Sequence, residues 1–173
     1  MRIFLIPIIF LLTCCQSKAM SQPDQTINST FEFELEKYLG TWYEIARFDH
    51  SFERGLENVT ATYTIRKDGK IKVLNQGYKN GVHKTAVGKA KLAAEDTPRN
   101  LKVAFFWIFY APYNILELDE EYQYALIGSN TSNYLWILSR SPQMDEATYQ
   151  MLLEKATQRG YDVSKLIEVQ QSN

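Results

Sequence analysis

The chain has 173 residues, enough for one domain, and its charge is nearly balanced, with 19 Lys and Arg against 20 Asp and Glu. This balance, without a basic run, argues against a nucleic-acid-binding protein. Hydrophobic residues make up 45% of the sequence, which excludes a disordered chain. Both cysteines lie at positions 14 and 15, and there are only two histidines. The sequence therefore predicts no disulfide bond, no metal centre and no bound cofactor in the folded part.

The N-terminal segment has the features of an export signal. Met1-Arg2 supplies a positive end, and the apolar run 3–12 is too short to cross a bilayer. The motif Leu12-Thr13-Cys14-Cys15 resembles the lipobox of bacterial lipoproteins, in which a cysteine is acylated and becomes the new N-terminus. We assign the acylated residue as Cys15, with Cys14 as the alternative.

Three segments are predicted along the chain: a signal peptide at 1–14, a lipidated N-terminus with a flexible tether at 15–32, and one folded domain at 33–173. The tether is predicted because the residues that follow Cys15 are polar and lack periodicity. An ordinary signal peptide, cut near Ala19, stays open as an alternative to the lipoprotein.

The folded part is dominated by apolar and polar residues that alternate with period two, which is typical of half-buried β-strands. Gly69 in the turn 67–70 provides the positive φ that a hairpin needs, and Lys79-Asn80-Gly81 forms the next turn. Eight strands are predicted, at 40–48, 59–66, 71–77, 84–92, 101–108, 113–118, 122–128 and 133–140.

One helix is predicted after the strands. Ser141-Pro142 offers an N-cap followed by proline at the first helical position, and Gly160 offers the end. An apolar stripe at helical spacing is formed by Tyr149, Leu152, Leu153 and Ala156. A short tail at 166–169 is expected to add an outer strand.

Eight meandering strands and one late helix predict an all-β fold, a closed up-and-down β-barrel with one C-terminal α-helix packed outside. Such a barrel is either filled by side chains or holds one small ligand. Inward Ala86, Gly88 and Ala90 are too small to fill it, which favours a cavity. A two-sheet sandwich is the alternative, because it also uses alternating strands.

Several motifs resemble those of a known family. Gly40-Thr41-Trp42-Tyr43 resembles the G-x-W signature of lipocalins, and Arg140 stands where that family has an arginine ending the eighth strand. Asp119-Glu120-Glu121-Tyr122 lies where the family has a T-D-Y turn, with only the tyrosine kept. The longer segments 38–48 and 134–140 are similar to the bacterial lipocalins, outer-membrane lipoproteins related to apolipoprotein D. The resemblance runs from about Phe33 to Gln171.

The resemblance implies a lipid-binding carrier of fatty acids or lysophospholipids. It also implies an acyl anchor in the bacterial outer membrane, on the periplasmic side. A structural or partner-binding envelope lipoprotein without a transported ligand is the alternative. A cavity enzyme is less favoured, because no Ser/His/Asp arrangement or metal cluster is visible in the sequence. No catalytic residue is assigned.

Strand parity and the resemblance together predict the roles of individual residues. Trp42 is expected to plug the narrow end of the barrel, with the Arg140 guanidinium across its indole and Gly40 beside it as structural residues. Glu44 shares the parity of Trp42, and the sequence names no partner for this inward carboxyl group. The predicted cavity is lined by Tyr63, Asn75, Val103, Phe105, Tyr113 and Trp136. Of these, Tyr63, Asn75 and Trp136 also match pocket positions of the apolipoprotein D branch.

An aromatic lip, Ile108-Phe109-Tyr110, is expected at the open mouth between the fifth and sixth strands. Exposed aromatic residues there favour contact with a membrane or with a second copy of the chain in a homodimer. The alternative is that they fold inward as a lid.

Overall fold

The predicted strands form one antiparallel sheet that closes on itself in the computed structural model, which describes residues 32–94, 97–106 and 109–172. Each strand pairs with the next, and the first pairs with both the second and the eighth. The strands are β1 (Gly40–Phe48), β2 (Glu57–Ile65), β3 (Ile71–Lys79), β4 (Val82–Leu92), β5 (Asn100–Phe106), β6 (Phe109–Leu118), β7 (Tyr124–Gly128) and β8 (Leu135–Ser139). The closed barrel is confirmed, and the sandwich alternative is wrong.

The C-terminal tail pairs with the second half of β1, which does not pair with β2. Residues Gly40 to Tyr43 pair with β2, whereas Ala46 to Phe48 pair with the outer strand β9 (Leu166–Glu168), as the sequence predicts. Where β1 and β2 diverge, the Gln171 side-chain amide donates to the backbone oxygens of Glu44 and Val59 at 2.8 and 3.0 Å. The tail therefore seals the barrel wall.

Helix α2 (Glu146–Gln158) begins later than the Ser141-Pro142 signal predicts. Asp145 is the N-cap, because its carboxylate accepts hydrogen bonds from the Thr148 backbone N–H at 2.9 Å and from the Thr148 hydroxyl at 2.7 Å. Gly160, with a φ of 82°, follows the end of the helix as expected. No helix among the described residues is long and apolar enough to span a bilayer.

A single helical turn, α1 (Leu35–Tyr38), precedes β1 and has no counterpart in the sequence prediction. Its four residues are too few to show a helical period. The turn places the fully buried Tyr38 under the barrel, where its backbone oxygen accepts a hydrogen bond from Trp42 Nε1 at 2.8 Å. The first turn therefore helps to close the base of the barrel.

The hydrophobic residues form two separate cores. One fills the lower half of the barrel interior around Trp42, Ile71, Leu101 and Ile127. The other lies between α2 and the outer faces of β1, β6, β7 and β8, where Leu152 and Ala156 of the predicted stripe are fully buried. The helix thus covers one side of the barrel, and Val87 on the outer wall of β4 is 59% exposed.

Candidate functional site

The strand register shows which side chains face the barrel interior. Residues directly paired in an antiparallel sheet lie on the same face. Trp42 is paired with Ala61, Ala61 with Asn75, and Asn75 with Ala86. The same face continues through Val103 opposite Ala90, Tyr113 opposite Leu101, Trp136 opposite Ile127 and Tyr63 opposite Val73.

Phe105 lies against the same interior wall. A Cβ atom on Gly88 would lie 2.9 Å from Phe105 Cδ1 and 2.8 Å from the Ala104 backbone oxygen, so only glycine leaves room for this ring. All six residues predicted to line the cavity are therefore carried by the inner surface, and their contact with a ligand stays a prediction.

The base of the barrel is closed by the residues of the lipocalin-type signature. The Arg140 guanidinium lies 3.9 Å from the centroid of the Trp42 ring, as expected for a cation–π contact. It also donates to the backbone oxygens of Lys37 and Leu39, at 2.7 and 2.8 Å. Gly40 has a φ of 95°, and a Cβ atom there would lie 3.3 Å from Arg140 Nη1. These residues hold the base together and are remote from the mouth.

Beside Trp42, three phenol groups form a tyrosine layer of Tyr38, Tyr63 and Tyr113. Tyr63 donates to Tyr113 across 2.9 Å, and the hydroxyl oxygens of Tyr38 and Tyr113 are 2.7 Å apart. Burial raises the pKa of all three phenols, so they stay neutral. The layer closes the lower end of the interior, and its three hydroxyl groups form hydrogen bonds with one another.

A buried polar cluster of Glu44, Arg47 and Glu53 lies higher in the barrel. Its ion pair joins Arg47 Nη1 to Glu44 Oε1 at 2.7 Å, and Arg47 Nη2 donates to the Glu53 backbone oxygen at 2.8 Å. The Glu53 carboxylate accepts a hydrogen bond from Trp136 Nε1 at 3.1 Å. Arg47 is thus the partner of Glu44 that the sequence does not reveal.

A register shift explains why parity misses this partner. Strict alternation from Trp42 and Glu44 places Arg47 on the outer face. The pairing of β1 with β8 shifts between Glu44 and Ala46, and this bulge brings Arg47 opposite Trp136 on the inner face. Glu53 comes from the loop 49–56, which has no periodicity from which its position could be read.

The Arg47 guanidinium contacts Glu44 through its carboxyl group and Glu53 through its backbone oxygen, and all three side chains are buried. Burial and the nearby Glu53 charge raise the pKa of Glu44 to about 8, against the opposing effect of Arg47. Burial also raises the pKa of Glu53. Both carboxyl groups therefore bind a proton more tightly than exposed carboxyl groups do.

Two buried polar atoms of the interior differ from the polar atoms of the base. Among the described residues, Asn75 Oδ1 and Arg47 Nε are buried and accept or donate no hydrogen bond. Such atoms are costly unless another molecule binds them. Asn75 Oδ1 calls for a donor, and Arg47 Nε calls for an acceptor, which together suit a polar head group.

The upper interior is also open space. Asn75, Val103, Tyr113 and Trp136 face inward but are only partly buried, and the inward Ala86 is exposed. Inward-facing side chains of a filled barrel would be fully buried, so their exposure requires a cavity open to the solvent. No group of His, Cys, Asp and Glu within the described ranges is arranged to hold a metal ion.

Aromatic rings surround the mouth, and of these the sequence analysis did not predict His50, Phe52 and Tyr134. His50 stacks between Tyr134 at 4.5 Å and Phe52 at 5.3 Å, with Trp136 at 5.4 Å, all measured between ring centroids. Burial lowers the pKa of His50, which favours the neutral ring. The loop 49–56 thus covers Trp136 from the mouth side while Phe52 remains exposed.

The aromatic lip is only partly described. Ile108 and the side chain of Phe109 lie outside the described residues. Tyr110 belongs to β6, and its ring centroid is 4.9 and 5.6 Å from the ammonium groups of Lys91 and Lys89 on the outer wall. A lid formed by Tyr110 is therefore wrong, because its ring faces away from the cavity.

Comparison with known proteins agrees with this geometry. Residues 33–171 match the model of the lipocalin-like domain. The chain is 48% identical to the outer membrane lipoprotein Blc of Escherichia coli K12 over 94% of this chain and 91% of that one. It is 36% identical to apolipoprotein D of Mus musculus, covering 82% and 78% of the two chains. Apocrustacyanin C2 has the same fold, with a TM-score of 0.67, 19% identity and 81% of each chain covered. The chain belongs to the lipocalin-like family.

Proposed function

We propose that this chain is a membrane-anchored lipocalin that stores or transports fatty acids or lysophospholipids in the bacterial envelope. The observation that carries the proposal is an open, aromatic-walled interior with unpartnered polar atoms at Asn75 and Arg47. Pockets for small molecules combine an apolar lining with a few polar groups in this way. The relatives named outer membrane lipoprotein support the place of action.

The arrangement of the walls supports one orientation of the proposed ligand. An acyl chain contacts Val103, Phe105 and Tyr63 and ends at the tyrosine layer, whose hydroxyl groups are already satisfied. The head group lies nearer the mouth, where Asn75 and Trp136 line the interior. Burial of an acyl chain against these walls drives binding, because each buried methylene contributes about 0.8 kcal/mol.

A titration with a fluorescent fatty acid tests this function. We expect saturable binding of one probe per chain, and displacement of the probe by unlabelled lysophospholipid. Lipids extracted from the purified protein should contain the same class of molecule by mass spectrometry. Absence of both saturable binding and co-purified lipid would favour the structural or partner-binding lipoprotein instead.

The anchor is proposed at Cys15, on the periplasmic side of the outer membrane. Replacement of Cys15 by Ser should release the protein from the membrane fraction, and Cys14→Ser is the matched control that should stay there. The opposite pattern would assign the acyl chain to Cys14. A soluble wild type would contradict the anchor.

The tether of residues 15–32 is proposed to let the barrel reach lipids in the bilayer. The 18 residue-to-residue steps from Cys15 to Phe33 span about 60 Å when extended and about 23 Å as a flexible coil.

The aromatic lip is proposed as the membrane contact, and the alternative is that it forms a homodimer interface. Replacing Phe109 and Tyr110 by Ser should slow lipid uptake from vesicles, whereas a change of mass in solution would favour the dimer.

A further inference from the structure

The outer wall of β3, β4 and β5 carries a lysine wall, composed of Lys72, Lys89, Lys91 and Lys102. Lys72 is directly paired with Lys89, and Lys91 is directly paired with Lys102. Directly opposed residues of antiparallel strands have Cβ atoms about 4.5–5.5 Å apart. Four positive charges are therefore held side by side on one surface of the sheet.

This arrangement costs stability unless an anion lies against it, because like charges directly opposite each other destabilise a sheet. None of the four lysines makes an ion pair with a described residue. Other cations at the surface do: Arg54 pairs with Asp49 at 2.7 Å, Arg66 with Asp68 at 3.1 Å and Lys165 with Asp162 at 3.3 Å. The direct pairing of lysine with lysine on neighbouring strands, without counter-charges from the described residues, characterises this wall.

An aromatic and an aliphatic side chain lie among these lysines. Lys91 and Lys89 place their ammonium groups 4.9 and 5.6 Å from the ring centroid of Tyr110, and Val87 beside them is 59% exposed. Tyrosine and lysine together are typical of membrane interfaces, where the ring lies at the level of the lipid head groups and the ammonium groups bind phosphates.

We propose that the lysine wall binds the anionic phospholipid surface of a bilayer. This assignment rests on charge complementarity. All charged side chains of the lysine wall are positive, whereas a leaflet of anionic lipid exposes a continuous layer of negatively charged phosphates. Because α2 covers the opposite side of the barrel, the protein lies on its β3–β5 side with the helix facing away. The inference rests on the proposed envelope location, and it is independent of the cavity ligand.

Sedimentation with vesicles tests the proposal. The chain from residue 16 onward lacks both cysteines and keeps every described element, so it reports binding without an acyl anchor. Vesicles of phosphatidylcholine alone are compared with vesicles that also contain phosphatidylglycerol. We expect binding only to the anionic vesicles, and weaker binding as salt is raised. The double variant Lys89→Gln/Lys91→Gln should lose about 25-fold in partition coefficient, because each lysine near an anionic leaflet contributes about fivefold.

The matched control is Lys155→Gln/Lys165→Gln, which removes the same charge on the helix side and should bind like the wild type. Lys89→Arg/Lys91→Arg keeps the charge and should bind normally. Equal binding to both vesicle types, or equal losses in the two glutamine variants, would overturn the proposal. An acidic protein would then be the better candidate for the partner of the lysine wall. Fatty-acid affinity in solution should be unchanged in all variants, so failure of the proposed function would be seen separately.

Discussion

The lower and upper halves of the barrel interior differ in how their polar atoms are satisfied. At the base, Trp42 Nε1 donates to Tyr38, Arg140 donates to several backbone oxygens, and the tyrosine layer bonds to itself. In the upper half, Asn75 Oδ1 and Arg47 Nε have no partner among the described residues, and Trp136 is only partly buried. The base is built like a protein core, and the upper half is built to receive a molecule.

Because of this contrast, residues of a single strand differ in whether they stabilise the fold or contribute to ligand binding. Trp42 and Arg47 both belong to β1 and both face inward, yet one closes the base and the other lies below the mouth. Substitutions at the base should therefore unfold the protein with little effect on ligand choice. Substitutions near the mouth should change binding, except where they leave a buried charge without its partner.

Trp42→Ala should cause the largest loss of stability. The ring is fully buried and contacts both Tyr38 and Arg140. We expect the free energy of unfolding in urea to fall by about 3–5 kcal/mol, from lost burial and an unfilled cavity. The fraction that remains folded should bind the fluorescent fatty acid with nearly normal affinity. A strong loss of fatty-acid affinity with a normal free energy of unfolding would instead assign the base of the barrel to ligand binding.

Arg47→Met should destabilise by about 3 kcal/mol, because it leaves the buried Glu44 and Glu53 without their cation. Urea unfolding measures this loss. The double variant Arg47→Met/Glu44→Gln also replaces the carboxyl group that Arg47 contacts by a neutral amide and should recover part of this loss. If the single and double variants were equally unstable, the contact of Glu44 with Arg47 would not be the reason for the loss.

Trp136→Ala should weaken binding of the fatty acid by about 1–3 kcal/mol, because it removes a large wall of the open cavity. Trp136→Phe is the control that keeps a ring and loses the hydrogen bond to Glu53. It should bind more tightly than the alanine variant in the same fluorescence titration. Wild-type affinity in both variants would show that the ligand does not touch this wall.

The stability of the protein should fall as the pH rises between 5 and 8. Burial raises the pKa of Glu44 from its ordinary value of 4.5 to about 8. The folded chain therefore holds this proton more tightly than the unfolded chain, so the unfolding free energy decreases with pH by at most about 1.4 kcal/mol per unit. Glu44→Gln should flatten this dependence in urea unfolding at several pH values. A variant that kept the wild-type slope would assign it to another group.

Asn75→Leu should have the smallest effect and the most selective one. Its side-chain oxygen accepts no hydrogen bond from the described residues, so a ligand with a hydroxyl or ammonium group near this depth should lose about 1 kcal/mol of affinity. A simple fatty acid should lose less or gain. Competition between the two ligand types in one titration measures the difference, and equal losses would contradict the assigned head-group position.

The strand pattern predicts the barrel because parity persists over long segments of β2, β3 and β4, whose pairings run without interruption from residue 60 to residue 90. The same parity places Tyr63, Asn75 and Val103 on the inner face. Helix α2 is predicted from its apolar stripe, but its start is misplaced because Asp145 competes with Ser141 as an N-cap and makes two hydrogen bonds to Thr148.

The polar cluster could not be predicted, because each of its members depends on an irregularity. Arg47 faces inward only because of the bulge after Glu44, and a bulge leaves no mark in the alternation of residue types. Glu53 and His50 belong to a loop whose course depends on the tertiary contacts it makes, namely with Arg47 and Trp136. Sequence patterns therefore locate the walls of the cavity better than its polar groups.

Photo-crosslinking tests the central claim most directly. A fatty acid with a diazirine in mid-chain is bound to the protein and irradiated, and the labelled peptides are identified by mass spectrometry. We predict adducts on the peptides that carry Val103, Phe105 and Trp136, and loss of these adducts when excess unlabelled lysophospholipid is present. Labelling confined to the outer wall, or labelling that competitor does not reduce, would contradict binding inside the barrel.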